Sequence, residues 1–326
     1  MSSITNNDFA TASLKTIKFS ALENKDVKEV DKLIEASRSE GFYYLDFEDS
    51  SAASLPLKKR ELLKVMKRYF DQPREVKQED ATGRPTRGYV AKGTFTGNNI
   101  EQPNESFEHL AISTYELQSD LKGTLPRVFQ EAGGLVGDYI TTCQQVVTAL
   151  LSCYTSALSL SGASELEQHH VHKNASETIL ALLSYPGQLT HQKHTDLGSL
   201  TILFSDQWGL QAVAPSSGEW EWIEPREDDA VINVGDALRF LSGKRLYSCV
   251  HRVVRGGRAK EEGHRYSIAY LLRPNDEAVF EDADGAAVTA RDLAKVKYDT
   301  YSASHVEQAR STVLMGGMDR VLGVNV

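Results

Sequence analysis

Apolar positions near the start of the chain recur with a helical period. Val27, Val30, Leu33 and Ile34 form one stripe over residues 25–39, and Leu62, Leu63, Met66 and Phe70 form another over 57–70. Gly41 predicts the end of the first helix and Pro73 the stop after the second. Residues 42–47 between them read as a strand, and a third helix, with breaks, is predicted over 126–159. Residues 81–105 hold Gly83, Pro85, Gly88, Gly93, Gly97 and Pro103 among polar neighbours and predict a long loop, of the kind that serves as a functional lid. A polar, histidine-bearing turn follows the third helix at 165–176.

Beyond it the period changes from helical to strand-like. Eight short runs, 178–185, 199–204, 210–213, 219–223, 230–234, 237–241, 250–254 and 265–272, predict strands, separated by turn signals such as Ser217-Gly218 and Gly235-Asp236. Eight closely spaced strands after segregated helices predict a mainly β fold with α, a double-sheet jelly roll or barrel with the helices packed on one sheet. The expected organisation is a single domain, 1–326: a helical and strand region at 14–176, a β core at 177–275 and a helical C-terminal extension at 276–326.

Composition narrows the class. Hydrophobic residues make up 40% and charged residues 25% of the 326, and no run approaches the ~20 apolar residues of a membrane span. The polar first 13 residues lack a secretory pattern, and Cys143, Cys153 and Cys249 show no paired spacing, so a cytoplasmic protein with reduced thiols is expected. The net charge of −9, without a basic stripe, argues against nucleic acid as a partner.

The chemistry-bearing residues lie in the strand region. His194-Thr195-Asp196 is expected to open the second predicted strand, where His194 and Asp196, two apart in extended chain, project from one face, and His251 arrives 57 residues after His194 (251 − 194) at the start of another predicted strand. Two histidines and one carboxylate cover one face of an octahedron and leave three positions open, as non-haem Fe(II) oxygenases require. A structural zinc site would be closed by four ligands, typically with closely spaced cysteines, which this sequence lacks. Arg265 and Ser267 share a face at the head of the last predicted strand, where a guanidinium fork and a hydroxyl suit a carboxylate.

With these motifs the chain resembles the isopenicillin N synthase-like branch of the 2-oxoglutarate/Fe(II) dioxygenases. Gly41-Phe42-Tyr43-Tyr44 is similar to that family's early strand, Leu183-Ser184-Tyr185-Pro186 to its tyrosine-proline segment, 232–236 to its Asn-x-Gly-Asp turn and 288–301 to its C-terminal helix. The resemblance implies a double-stranded β-helix (jelly roll) core flanked by N-terminal helices and a C-terminal helix. It implies an enzyme using Fe(II), 2-oxoglutarate and O2, with His194, Asp196 and His251 as iron ligands and Arg265, Ser267 and Tyr185 binding the far carboxylate of 2-oxoglutarate. Leu183 stands where plant members often carry asparagine near the iron-bound end of the cosubstrate.

The expected activity is oxidation of a small organic molecule by hydroxylation, desaturation or oxidative rearrangement, in secondary-metabolite biosynthesis. Ala181, Leu183, Thr201, Leu203, Tyr89, Phe95 and Phe107 are the candidate substrate-pocket walls. His191 is expected on the strand face opposite His194; His169, His170 and His172 read as a solvated turn, and Trp220 with Trp222 as a packing pair. Two alternatives are an oxidase that needs no 2-oxoglutarate and a non-catalytic metabolite-binding jelly roll. Oligomeric state is left open.

Overall fold

A computed structural model describes residues 10–95, 107–119, 125–186, 190–254, 264–308 and 310–322. Residues 96–105 of the predicted lid loop lie outside the described residues. The helix Val27–Ser39 starts on Asp26, whose carboxylate accepts from Glu29 N, and ends at Gly41, where φ is +68° and the amide returns to Ala36 O. The second helix runs Leu55–Phe70. The predicted third helix is split at Gly133-Gly134 into a single turn, Arg127–Gln130, and a long buried helix, Leu135–Ala157.

Two facing sheets form the β core. The larger orders its strands β1 (Thr16–Lys18), β2 (Phe42–Asp46), β11 (Ala230–Val234), β8 (Leu200–Phe204), β13 (Arg265–Leu272), β6 (Ile179–Tyr185), β5 (Glu108–Ser113), β4 (Arg87–Val90) and β3 (Ala81–Arg84). The smaller orders β10 (Trp220–Trp222), β9 (Leu210–Val213), β12 (His251–Val253) and β7 (His191–His194). The helices cover the outer face of the larger sheet, so that Leu62, Tyr69, Val147 and Leu151 pack with Leu182, Ile202, Ile268 and Tyr270 in one core. A hairpin, β14 (Val279–Glu281) and β15 (Ala287–Thr289), leads into the helix Ala290–Tyr301, capped by Thr289 accepting from Asp292 N. No helix among the described residues is long and apolar enough to cross a membrane.

Three predicted elements differ. Residues 237–241 form the helix Asp236–Leu241 rather than a strand, because Ala237, Phe240 and Leu241 satisfy a helical period as well as a short extended run. The first part of the predicted loop is instead the β3–β4 hairpin, joined through β4 to β5. His194 closes a strand of its own in the smaller sheet instead of opening β8, and Asp196 lies in the connection.

Candidate metal centre

Cross-strand register explains why histidines far apart in sequence meet. β12 lies between β7 and β9, and His251 pairs directly with His194. Directly opposed side chains on antiparallel strands stand about 5 Å apart at Cβ, whatever the length of chain between them. Asp196 curls back from the end of β7, and one ligand atom from each of the three residues lies within 4.8 Å of the others. His194 Nε2 is 3.6 Å and His251 Nε2 3.7 Å from Asp196 Oδ1.

The surrounding bonds aim these atoms at a common point. His194 Nδ1 donates to Gln192 O at 2.7 Å and His251 Nδ1 to Cys249 O at 3.1 Å. Each imidazole therefore turns a bare Nε2 lone pair toward Asp196, as metal-ligating histidines do. Asp196 Oδ2 is taken by Thr201 Oγ1 at 2.5 Å and Asn233 Nδ2 at 2.7 Å, which leaves Oδ1 for a cation. Burial, then the adjoining His194 ring, pushes His251 down to about 4, so its approach to Asp196 at neutral pH is not an ion pair. Burial works to raise the Asp196 carboxyl, but His251, His194 and Asn233 outweigh it and hold the group well below the usual carboxylate range. Two neutral nitrogens and one carboxylate oxygen fit a divalent iron and leave room for further ligands.

Buried supports fix the ligand-bearing turn. Thr195, between two of the three ligands, donates from its backbone to Leu314 O and from Oγ1 to Asp236 Oδ2. Asp236 accepts also from Ser248 Oγ and from Lys297 Nζ on the helix Ala290–Tyr301.

Arg265 heads β13 opposite Tyr185 of β6 and is 1% exposed. Its Nη1 donates to Ser267 Oγ at 2.8 Å, its Nε to Trp208 O at 3.2 Å, and its guanidinium lies 5.1 Å from the Tyr185 ring centre. Burial pushes the Tyr185 phenol up to about 12 against the pull of Arg265, so it stays a neutral donor. Gly209 makes space for the guanidinium, since a Cβ there would stand 2.7 Å from Arg265 Nε.

Two compartments meet at the triad. One, about 580 Å³, runs past Leu183, Thr201 and Leu203 to Tyr185, Arg265 and Ser267. The other, about 620 Å³, is lined by Phe95, Phe107, Ala181, Leu183, His109, Arg273, Tyr298 and Tyr301.

Thr201 reaches the first compartment with its hydroxyl already committed to Asp196. Tyr89 does not reach either compartment: it packs against Tyr69 in the helix-covered core and donates to Glu108 Oε2 at 2.5 Å, a carboxylate that Lys77 also holds. Its pocket assignment is corrected on that ground.

His191 is corrected in the opposite direction. It pairs with Val253 while His194 pairs with His251, so Gln192 and Lys193 on β7 oppose Arg252 alone on β12, and this bulge turns both histidines the same way. Phe107, His191 and His194 stack in series, with ring centres 4.4 Å and 4.1 Å apart. His170 is not solvated but buried between Leu166 O and Ser199 Oγ, each at 2.6 Å. Trp222 is buried against Trp208, and Trp220 lies under the Arg252 guanidinium, outside both compartments.

Sequence reasoning did not single out Asn233, His109, Arg273, Tyr298 or Tyr301. Only Asn233 carried a signal, its place in the Asn-x-Gly-Asp turn.

Comparison with known proteins agrees with this geometry. The sequence profile of the 2OG-Fe(II) oxygenase superfamily matches residues 166–274. A 2-oxoglutarate-dependent dioxygenase of Gibberella zeae is 37% identical over 321 residues, 97% of this chain and 96% of that protein. One of Glarea lozoyensis is 36% identical over 94% of this chain and 93% of its own length. Among solved structures, a full-length Neurospora crassa protein in complex with alpha-KG superposes with a TM-score of 0.71 at 22% identity, over 90% of this chain and 98% of that one. The same neighbour has been solved with thymine and with 5-formyluracil.

Proposed function

This chain belongs to the 2OG-Fe(II) oxygenase superfamily, and we propose that His194, Asp196 and His251 hold its Fe(II) while Arg265, Ser267 and Tyr185 hold the far carboxylate of 2-oxoglutarate. The protein is a 2-oxoglutarate-dependent dioxygenase, an oxidoreductase working with Fe(II), 2-oxoglutarate and O2. Bound iron with its keto-acid cosubstrate supplies O2 activation and the oxidising power to attack a substrate C–H bond.

The protein's own groups do the positioning. The backbone carbonyls of Gln192 and Cys249 hold the two imidazole tautomers, and Thr201 with Asn233 fixes the rotation of the Asp196 carboxylate. Arg265 offers a buried cation to a dicarboxylate, with the Ser267 hydroxyl beside it. The apolar rings of the second compartment exclude water from the reacting carbon and position a small organic substrate there. Phe95, Phe107, Ala181 and Leu183 are substrate contacts in this reading.

The observation that carries it is that the triad sits where two compartments join, one of which ends in a buried guanidinium. We assign the reaction, a hydroxylation, desaturation or oxidative rearrangement, to secondary-metabolite biosynthesis, in keeping with fungal relatives. Three unpaired thiols suit a cytoplasmic location.

The test is anaerobic reconstitution with Fe(II) and 2-oxoglutarate, following the metal-to-ligand charge-transfer band. The band forms with wild type and fails with His194→Ala. Arg265→Leu weakens 2-oxoglutarate binding about 10- to 100-fold, the loss of a charge-assisted bond of roughly 1.5–3 kcal/mol. A band that survives His194→Ala, or turnover without succinate release, refutes the assignment.

A further inference from the structure

The compartment lined by Phe95, Phe107 and Tyr301 carries two buried polar atoms that the oxygenase assignment leaves unused. Arg273, directly after β13, is 7% exposed. Its Nη1 donates to Glu177 O and its Nη2 to Tyr298 Oη at 2.6 Å, but its Nε is buried without a partner. Among the described residues neither side-chain bond of Arg273 reaches a carboxylate, so no hydrogen-bonded anion holds this cation at the chamber wall. His109 on β5 is 5% exposed. Its ring Nε2 lies 3.1 Å from Pro85 O, and a carbonyl only accepts, so Nε2 carries the proton. Nδ1 then presents a bare lone pair, buried and again without a partner. Burial pushes His109 down to about 4, with the Arg273 charge a further cause, so the ring is neutral at pH 7.

Buried donors and acceptors are almost always satisfied, and two unsatisfied ones on the wall of one cavity point to a ligand that satisfies both. Between them the wall is aromatic: Phe95 stacks on His109 at 5.9 Å and 11° and on Tyr298 at 6.4 Å and 26°. Rings on the wall favour a flat guest. A buried guanidinium with no carboxylate partner among the described residues favours an anion, and a bare imidazole nitrogen takes an N–H or O–H.

We propose that Arg273 and His109 form the specificity subsite of the chamber and select a flat, ring-bearing organic acid. Its acidic group accepts from Arg273, and an N–H or O–H on the same molecule donates to His109 Nδ1. The inference rests on the oxygenase reading for what happens to the guest, but not for its binding.

The probes are 3- and 4-hydroxybenzoate against their neutral amides, with benzoate as the acid lacking a donor. Calorimetric titration into Fe(II)-loaded protein, anaerobically and with saturating 2-oxoglutarate so that Arg265 is engaged, should show at least one hydroxy acid binding about tenfold or more tighter than its amide. Arg273→Met abolishes that preference and Arg273→Lys keeps it, while 2-oxoglutarate affinity stays at the wild-type value in both and reports an intact fold. His109→Phe retains the stacking surface and leaves benzoate affinity unchanged, yet weakens the preferred hydroxy acid about fivefold or more. Equal binding of acids and amides, no binding of either hydroxy acid at millimolar concentration, or a preference that survives Arg273→Met overturns the proposal. If the charge-transfer band fails in wild type while the Arg273-dependent preference persists, the subsite stands and the oxygenase assignment falls.

Discussion

Replacing Lys297 by methionine removes the cation that neutralises the carboxylate beneath the metal-ligand turn. Lys297 is fully buried, with Nζ 2.5 Å from Asp236 Oδ2 and 3.0 Å from Thr195 Oγ1. At 2.5 Å and an effective dielectric constant near 20, the gross attraction is about 7 kcal/mol. Desolvation offsets much of that in the intact pair, and removing one partner of a buried pair typically costs about 3–5 kcal/mol because the other charge is left uncompensated. The expected loss in urea denaturation of Lys297→Met is therefore about 3–5 kcal/mol. Asp236→Asn, introduced on top of it, removes the charge while its one amide oxygen still accepts from Thr195 Oγ1 or Ser248 Oγ, and should restore at least about 2 kcal/mol. Thr195 is the residue between His194 and Asp196, so Fe(II) affinity should also fall about tenfold in the single variant. A loss below about 1 kcal/mol, or two substitutions whose costs simply add, would refute the view that this pair stabilises the ligand turn through charge.

Two further outcomes follow from the same geometry. Thr201→Val removes one of two donors on Asp196 Oδ2 and should weaken Fe(II) binding about 10- to 100-fold while leaving the Arg265 end of the cosubstrate site intact; unchanged metal affinity in a calorimetric titration would contradict this. Burial, reinforced by its histidine neighbours, holds His170 at about 4, whereas an unfolded imidazole titrates near ~6.5. Between those values the unfolded chain binds more protons, so stability is complete above pH ~6.5 and is lost as pH falls toward 4, by about 2–3 kcal/mol from this ring at pH 4.5. His170→Gln should therefore reduce the difference in urea midpoint of the metal-free protein between pH 7 and pH 4.5, and equal differences in variant and wild type would exclude His170 as a source.

Much of the fold was legible where burial writes itself into residue type. β9, β11 and β13 are mostly apolar, and their bounds match the predicted strands. β7 was invisible because His191-Gln192-Lys193-His194 has no apolar residue, and its strand character comes from the ladder with β12 alone. β5 opens on Glu108, a residue type that argues against burial until Lys77 and Tyr89 are known to hold it. The candidate metal ligands could be named from residue type and spacing, although only His194 and His251 meet through strand register and Asp196 reaches them from the connection after β7. His191 was misplaced because a bulge breaks that alternation, and no residue type announces one. Tyr298, Tyr301 and His109 arrive at the chamber through packing of distant segments, which periodicity cannot report.

The two compartments draw on overlapping stretches of chain. The three candidate metal ligands, Tyr185, Arg265 and Ser267 fall within 166–274, the span shared with the superfamily, and so do Ala181, Leu183 and Arg273 of the second compartment, whereas Phe95, Phe107, His109, Tyr298 and Tyr301 lie outside it. Reactivity is thus carried by one segment, and appetite by that segment together with its flanks. Exchanging the flanks alone would recut part of the wall that meets the guest while the oxidising machinery stays in place.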